Sequence, residues 1–242
     1  MKNGHTTRQK APAGRYALLD ELRGLDLVSM MLYHACWDLV FLFGVQMNWY
    51  AATPGHLWQQ SICWVFILLS GFCVPLGHHT LRRGATVFGA GVLVTAVTLL
   101  FMPEDRVVFG VLTFLGSAML LTGVLEPLLK KIPPAAGLAV SAVLFALTYH
   151  LDERWLGFGG LRLALPDAWY ANYFTAFIGF LPFDFYSADY FGLLPWLFLF
   201  WAGTTCTRRW AADAWNRCAA RCARRWAGWA GTRFCCICCT SR

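Results

Sequence analysis

A histidine and an aspartate four residues apart, His34 and Asp38, lie in the apolar part of the stretch Arg15–Val40, RYALLDELRGLDLVSMMLYHACWDLV. At helical spacing they share one face, about one turn or ~6 Å apart along the axis. Ionisable groups inside a membrane span are expensive, so a deep pair calls for a role. A neutral imidazole with a carboxylate one turn away suits a general base toward an amine or hydroxyl nucleophile, or a carrier of an acyl group. The same pair would also serve packing, each side chain satisfying the other or a neighbouring helix.

The elements that must position the pair follow from composition. With 58% hydrophobic and only 14% charged residues over 242 positions, and a mean hydropathy of +0.50, the chain is far from the balance of a soluble domain. An integral membrane protein is expected, an all-α polytopic helix bundle. The net charge of +7 does not argue for nucleic acid. From residue 203 onward eight arginines stand against Asp213 alone, which accounts for all of it, while residues 1–202 carry twelve Lys/Arg and twelve Asp/Glu. Of ten cysteines only Cys36, Cys63 and Cys73 lie in the body, singly and in apolar runs, where a small buried thiol is the ordinary reading. No disulfide framework follows.

Residues 1–15 are polar and basic, without an apolar segment and cleavage site of a signal peptide. Apolar runs long enough to cross a bilayer fall at 24–44, 57–77, 85–103, 107–128, 134–150 and 191–207, six spans in all. The N-terminus, the 78–84 loop with Arg82 and Arg83, the 129–133 loop with Lys130 and Lys131, and the segment after Arg208 are basic. The 45–56 loop has no Lys or Arg, and 104–106 has one. This alternation places the N-terminus in the cytoplasm. The stretch 151–190 is expected to be extracytoplasmic or re-entrant, because its apolar run, 170–180, is too short to span. His34 then sits roughly 16 Å beyond Arg23, near the middle of a ~30 Å core.

Other residues with chemistry are fewer. His78 and His79 beside Arg82 and Arg83 could meet the phosphates of a nucleotide-like donor, or simply mark the cytoplasmic side. His150 and Asp152 mark an interface. WLGFGG at 155–160 is too short and misplaced for a phosphate loop.

The pattern R-x-x-x-L-D-x-L-R-G-L from Arg15, followed by Met30, His34 and Asp38, resembles the opening helix of the heparan-α-glucosaminide N-acetyltransferase catalytic-domain family of multi-span acyltransferases. FILLSGF (66–72), FGVLTFLGSAMLL (109–121) and FYSADYFGLLPWLFLF (185–200) agree with it. The resemblance covers roughly residues 15–200. It implies transfer of an acetyl or other acyl group from cytosolic acyl-CoA, with no metal, to a sugar or glycan-like acceptor across a bacterial cytoplasmic membrane. His34 is implied as the central histidine and Asp38 as its orienting partner. Arg23, Asp189 and Trp196, in the first and last blocks, are implied on the acceptor path, and His78, Arg82 and Arg83 on the donor side. Asp189 reads equally as a solvated or helix-capping residue. Thr113 stands where relatives often carry histidine, and a threonine cannot do acid-base work near neutral pH. A similar opening occurs in acyltransferase-3-type O-acyltransferases. A non-catalytic transporter, with His34 and Asp38 relaying protons, is the alternative of a different class.

Residues 208–242 form an Arg/Cys/Trp-rich tail ending in RFCCICCTSR. Adjacent Cys pairs do not match the two-to-four-residue separation of zinc ligands, and the tail has no histidine. Back-translated and read from the third base of each codon, WAGWAGTRFCCICCTSR permits LGRHSLLLYLLHQP, a coherent apolar helix that resembles the family's closing span. A change of reading frame between about 200 and 213 is therefore expected. The body to residue 207 then forms the acyltransferase-like domain, and the tail is aberrant and poorly packed.

Overall fold

The computed structural model describes residues 17–226, with the helical backbone alone described over 211–226. Expectations for the basic N-terminus and for the cysteine-rich end beyond Trp226 lie outside the described residues. Of the described residues, 68% are helical. Its helices are α1 (Ala17–Phe41), α2 (Thr53–Cys73), α3 (Thr80–Phe101), α4 (Val111–Leu129), α5 (Pro134–Thr148), α6 (Tyr173–Ile178) and α7 (Leu193–Trp226). Prolines mark several boundaries as their chemistry requires. Pro134 opens α5, and α3 stops before Pro103. In α7, Leu194 has non-helical backbone before Pro195, to which it is joined by a cis bond.

Helices occupy all six positions expected from the apolar runs. Two of them, α3 with mean hydropathy 2.0 and α4 with 1.6, are long and apolar enough to cross a bilayer, and α5 is apolar but shorter. In α1 the run is diluted by Asp20, Glu21, Arg23, Asp26 and Asp38. Within 151–190, β1 (Trp155–Leu156) pairs antiparallel with β2 (Leu163–Ala164), which adds a small hairpin to the all-α expectation. A 3-10 turn at Asp167–Tyr170 and the six-residue α6 follow. A helix of that length cannot cross a bilayer.

The chain divides into two compact units, with the boundary between Leu69 and Ser70. In the first, α1 and α2 are tied across the 42–52 connection. The Trp58 indole N–H donates to Ser29 Oγ at 2.8 Å, and the Tyr50 hydroxyl donates to the Tyr33 carbonyl at 3.2 Å.

In the second unit, α3 and α4 pack through small residues in a constant antiparallel register. A Cβ on Gly91 would lie 2.6 Å from Thr113 Oγ1, and one on Gly116 would collide with the Phe88 backbone. One on Gly84 would sit 3.0 Å from the Leu120 nitrogen, and one on Gly123 would be 2.6 Å from Leu81 Cδ2. Each step up α3 is matched by an equal step down α4. This is the close backbone approach that small residues permit. Helix α7 packs on α5 and α4, and the Trp201 indole N–H donates to Thr122 Oγ1 at 2.9 Å. The Thr204 and Thr207 hydroxyls donate to the carbonyls of Gly71 (3.1 Å) and Phe72 (2.6 Å). Both threonines are buried.

Candidate functional site

In α1, Ser29 and Tyr33 face α2. The Tyr33 ring lies 5.0 Å from that of Tyr50 and 5.4 Å from that of Trp58. His34, one residue on and so turned by about 100°, is exposed and meets the Tyr33 ring edge-on at 6.1 Å. Asp38 is also exposed. Helical spacing puts the two on one strip, yet among the described residues no hydrogen bond or ion pair joins them. Arg23 is exposed on the first turns of the same helix. The acid that α1 does bury is Asp26, 7% exposed and the one charged residue in the buried class among the described residues. It directly follows the opening pattern, and a single acid beside Arg23 has no spacing to single it out.

In the second unit, two of the resemblance blocks are laced together. Segment 106–111 runs beside 186–191. Ala188 N–H donates to the Arg106 carbonyl (3.0 Å), and Phe191 N–H to the Phe109 carbonyl (2.9 Å). Ser187 Oγ accepts from Val108 N–H and donates to the Asp189 carbonyl, both at 2.9 Å. Asp189 Oδ2 accepts from Val111 N–H at 2.9 Å, the first residue of α4. An acid there both satisfies an orphan donor and meets the positive end of the helix dipole. Of the two roles read for Asp189, the capping one is what this geometry displays. Trp196 is half-buried among Phe145, Tyr149 and Phe191, with ring centres 5.5–6.3 Å away. The Tyr190 hydroxyl donates to the Ala176 carbonyl at 2.6 Å, and burial raises it above the ordinary phenol range.

Thr113 is buried, 6% exposed. It borders a lateral groove of about 390 Å³ with Phe88, Val92, Phe109, Phe174 and Phe177. Its surroundings there are apolar and aromatic.

His78, Arg82 and Arg83 are all exposed on the turn into α3. Beside this turn is a cavity of about 240 Å³ bordered by Thr80, Thr122, Glu126, Lys130, Trp201 and Arg208. Arg208, the first residue of the expected tail, packs on the end of α4. Its Nη1 donates to the Leu129 carbonyl at 2.6 Å, and its Nη2 to those of Lys130 (3.1 Å) and Ile132 (3.2 Å). A cation on the carbonyls at a helix C-terminus is electrostatically favoured. Its membership of the first basic pair after the last span was the available signal.

The β1–β2 hairpin holds a second ionisable cluster. The His150 and Trp155 rings stack at 4.0 Å, and His150 Nδ1 lies 3.4 Å from Glu153 Oε1. The Trp155 indole N–H donates to Glu153 Oε2 at 2.9 Å. These contacts, Trp155 first and then His150, hold the Glu153 carboxyl below its usual range. Arg154 bonds Asp167 at 2.6 Å and lies over the Phe183 and Tyr170 rings. Among the described residues no three His, Cys, Asp or Glu side chains gather as metal ligands would.

The family described as heparan-alpha-glucosaminide N-acetyltransferase, catalytic, matches residues 15–234. The chain belongs to that family. No curated protein and no solved structure matches it. Membership in the N-acetyltransferase family assigns membrane acetyltransferase activity in general, with acetyl-CoA as the family's donor. The match runs through α7 and past Trp226. Within it, the third and fourth blocks of the N-acetyltransferase pattern are the two segments that Asp189 and Ser187 lace together. The second block contains Gly71, where a Cβ would collide with the Phe200 carbonyl.

Proposed function

We propose that the chain is a membrane acyltransferase that moves an acetyl or other acyl group from cytosolic acyl-CoA to an extracytoplasmic sugar or glycan-type acceptor. The observation that carries this reading is the family match over residues 15–234, which includes the His34 block. His34 acts either as the base that takes the proton from the acceptor amine or hydroxyl as it attacks the thioester, or as the nucleophile that displaces the CoA thiolate and passes the acyl group on. In both routes the carbonyl carbon exchanges a C–S bond for a C–N or C–O bond. The thiolate takes up a proton and leaves as CoA thiol. Asp38 serves as the orienting partner of the imidazole, and Arg23, Asp189 and Trp196 are residues that bind the acceptor. His78, Arg82 and Arg83 attract the donor's phosphates.

The helices α1 to α5 and α7 each cross the bilayer in this reading, with the N-terminus and the 78–84 and 129–133 loops in the cytoplasm of a bacterial inner membrane. The basic and non-basic alternation of the loops supports that orientation. We also propose a change of reading frame between about residues 200 and 213, supported by the LGRHSLLLYLLHQP string that the tail permits in another frame. Gene sequencing across codons 195–242 decides this. An unbroken frame with no hidden LGRHSLLLYLLHQP string would end the idea.

Purified protein in detergent tests the function. Acetyl-CoA-dependent transfer to a glucosaminide should fall about 10²-fold or more in His34→Ala and be weakened in Asp38→Asn. Unchanged transfer in His34→Ala would sink the reading.

A further inference from the structure

The cavity between α3, α4 and α7 converges positive charge from three separate parts of the chain. Arg208 reaches it from α7 with its guanidinium fixed by three carbonyl bonds, which leave further N–H donors of its five. Lys130 reaches it from the end of α4 and pairs with Glu126 at 2.7 Å, both side chains more than half exposed. Gly77 also borders the cavity, and a Cβ on it would collide with the Arg83 guanidinium, so a third cation sits at the rim. The first residue of α3, Thr80, lines the wall. No side chain caps that helix, and its N-cap residue His79 is left-handed at φ 56°. The N-terminal N–H groups and dipole of a 22-residue helix therefore add to the field. Glu126 is the one carboxylate among the bordering residues.

Neighbouring polar groups are already committed. The Trp201 indole N–H goes to Thr122, and the Thr204 and Thr205 hydroxyls go to backbone carbonyls. Besides these groups, three cations, Arg208, Lys130 and Arg83, stand at the cavity against the single carboxylate of Glu126. Positive-inside bias accounts for the sign of the loops, but not for their convergence on a walled space.

We propose that this cavity is a binding site for a phosphate-bearing ligand, held by Arg208, Lys130, Arg83 and the start of α3. Two sources carry that chemistry, the nucleotide part of the acyl donor and the headgroup of an anionic phospholipid. The donor source rests on the acyl-transfer reading above, and the lipid source does not. Guanidinium forks and exposed helix N-termini are the usual partners of phosphate oxygens.

Calorimetry on the full chain in detergent, with CoA and inorganic pyrophosphate as probes, tests the donor source. Retention of phosphatidylglycerol against phosphatidylcholine in nanodiscs tests the other. Arg208→Gln should weaken whichever probe binds by about tenfold, and Lys130→Gln by a few-fold. Glu126→Gln should tighten it, an effect that a merely structural cavity would not produce. Because Arg208→Gln also loosens the end of α4, the exposed Lys130 and Glu126 variants keep the test independent of folding. Binding of CoA or pyrophosphate that follows these variants assigns the donor. Selective phosphatidylglycerol retention that follows them assigns a lipid. No binding of any probe, or binding indifferent to all three variants, overturns the site. In that case acetyl transfer that still requires His34 leaves the proposed activity standing.

Discussion

Single residues show how far spacing alone can carry a site. Asp189 was readable as an acceptor-side acid or a cap, and its bond to Val111 N–H, 78 positions away in the chain, displays the cap. Asp189→Ala should lower stability by about 1 kcal/mol, while Asp189→Asn keeps an oxygen acceptor and should retain most of it; thermal denaturation of the two variants measures the difference. Glu153 gives a pH effect of definite sign. Its carboxyl is held below the usual 4.5 by Trp155 and His150. The resulting stability is fully present above that value and is lost as pH falls through the lower folded one. Trp155→Phe removes the N–H and keeps a ring to stack on His150. Its melting temperature should therefore fall short of the wild type above about pH 4.5 and converge with it in stronger acid. A constant gap across the whole pH range would contradict this.

Helix pairing sets the next level. The apolar runs made α3 and α4 legible as helices, but not which glycines were contacts. Gly89 has open space at its Cβ position, whereas a Cβ on Gly116 would collide with the Phe88 backbone. Gly89→Ala should raise stability by up to about 1 kcal/mol through helix propensity, and Gly116→Ala should lower it by about 1–3 kcal/mol through overpacking. Equal effects of the two in a denaturation series would refute the register. The α3–α4 pair also explains why Thr113 tolerates close approach. Gly91 leaves room for its backbone and hydroxyl, a fit that a lone substitution at either position would disturb.

For the molecule as a whole, the proposed six-span orientation makes a topological prediction. Reporter fusions after Ala52 and Asp105 should be active as periplasmic alkaline phosphatase, and those after Arg83 and Lys131 should not. A phosphatase-positive fusion at Arg83 would reverse the assignment. Local pattern alone determined the helix positions, the apolar class and the family, because hydropathy, proline boundaries and the His34 and Asp189 blocks are properties of contiguous stretches. Tertiary structure decided what those stretches do to one another. It put the Asp189 carboxylate on α4, set Arg208 on the carbonyls that end the same helix, and left His34 and Asp38 on one strip without a bond. The reason is physical. Such contacts join groups some 80 positions apart, or depend on side-chain rotamers, and neither is encoded in the spacing of neighbouring residues.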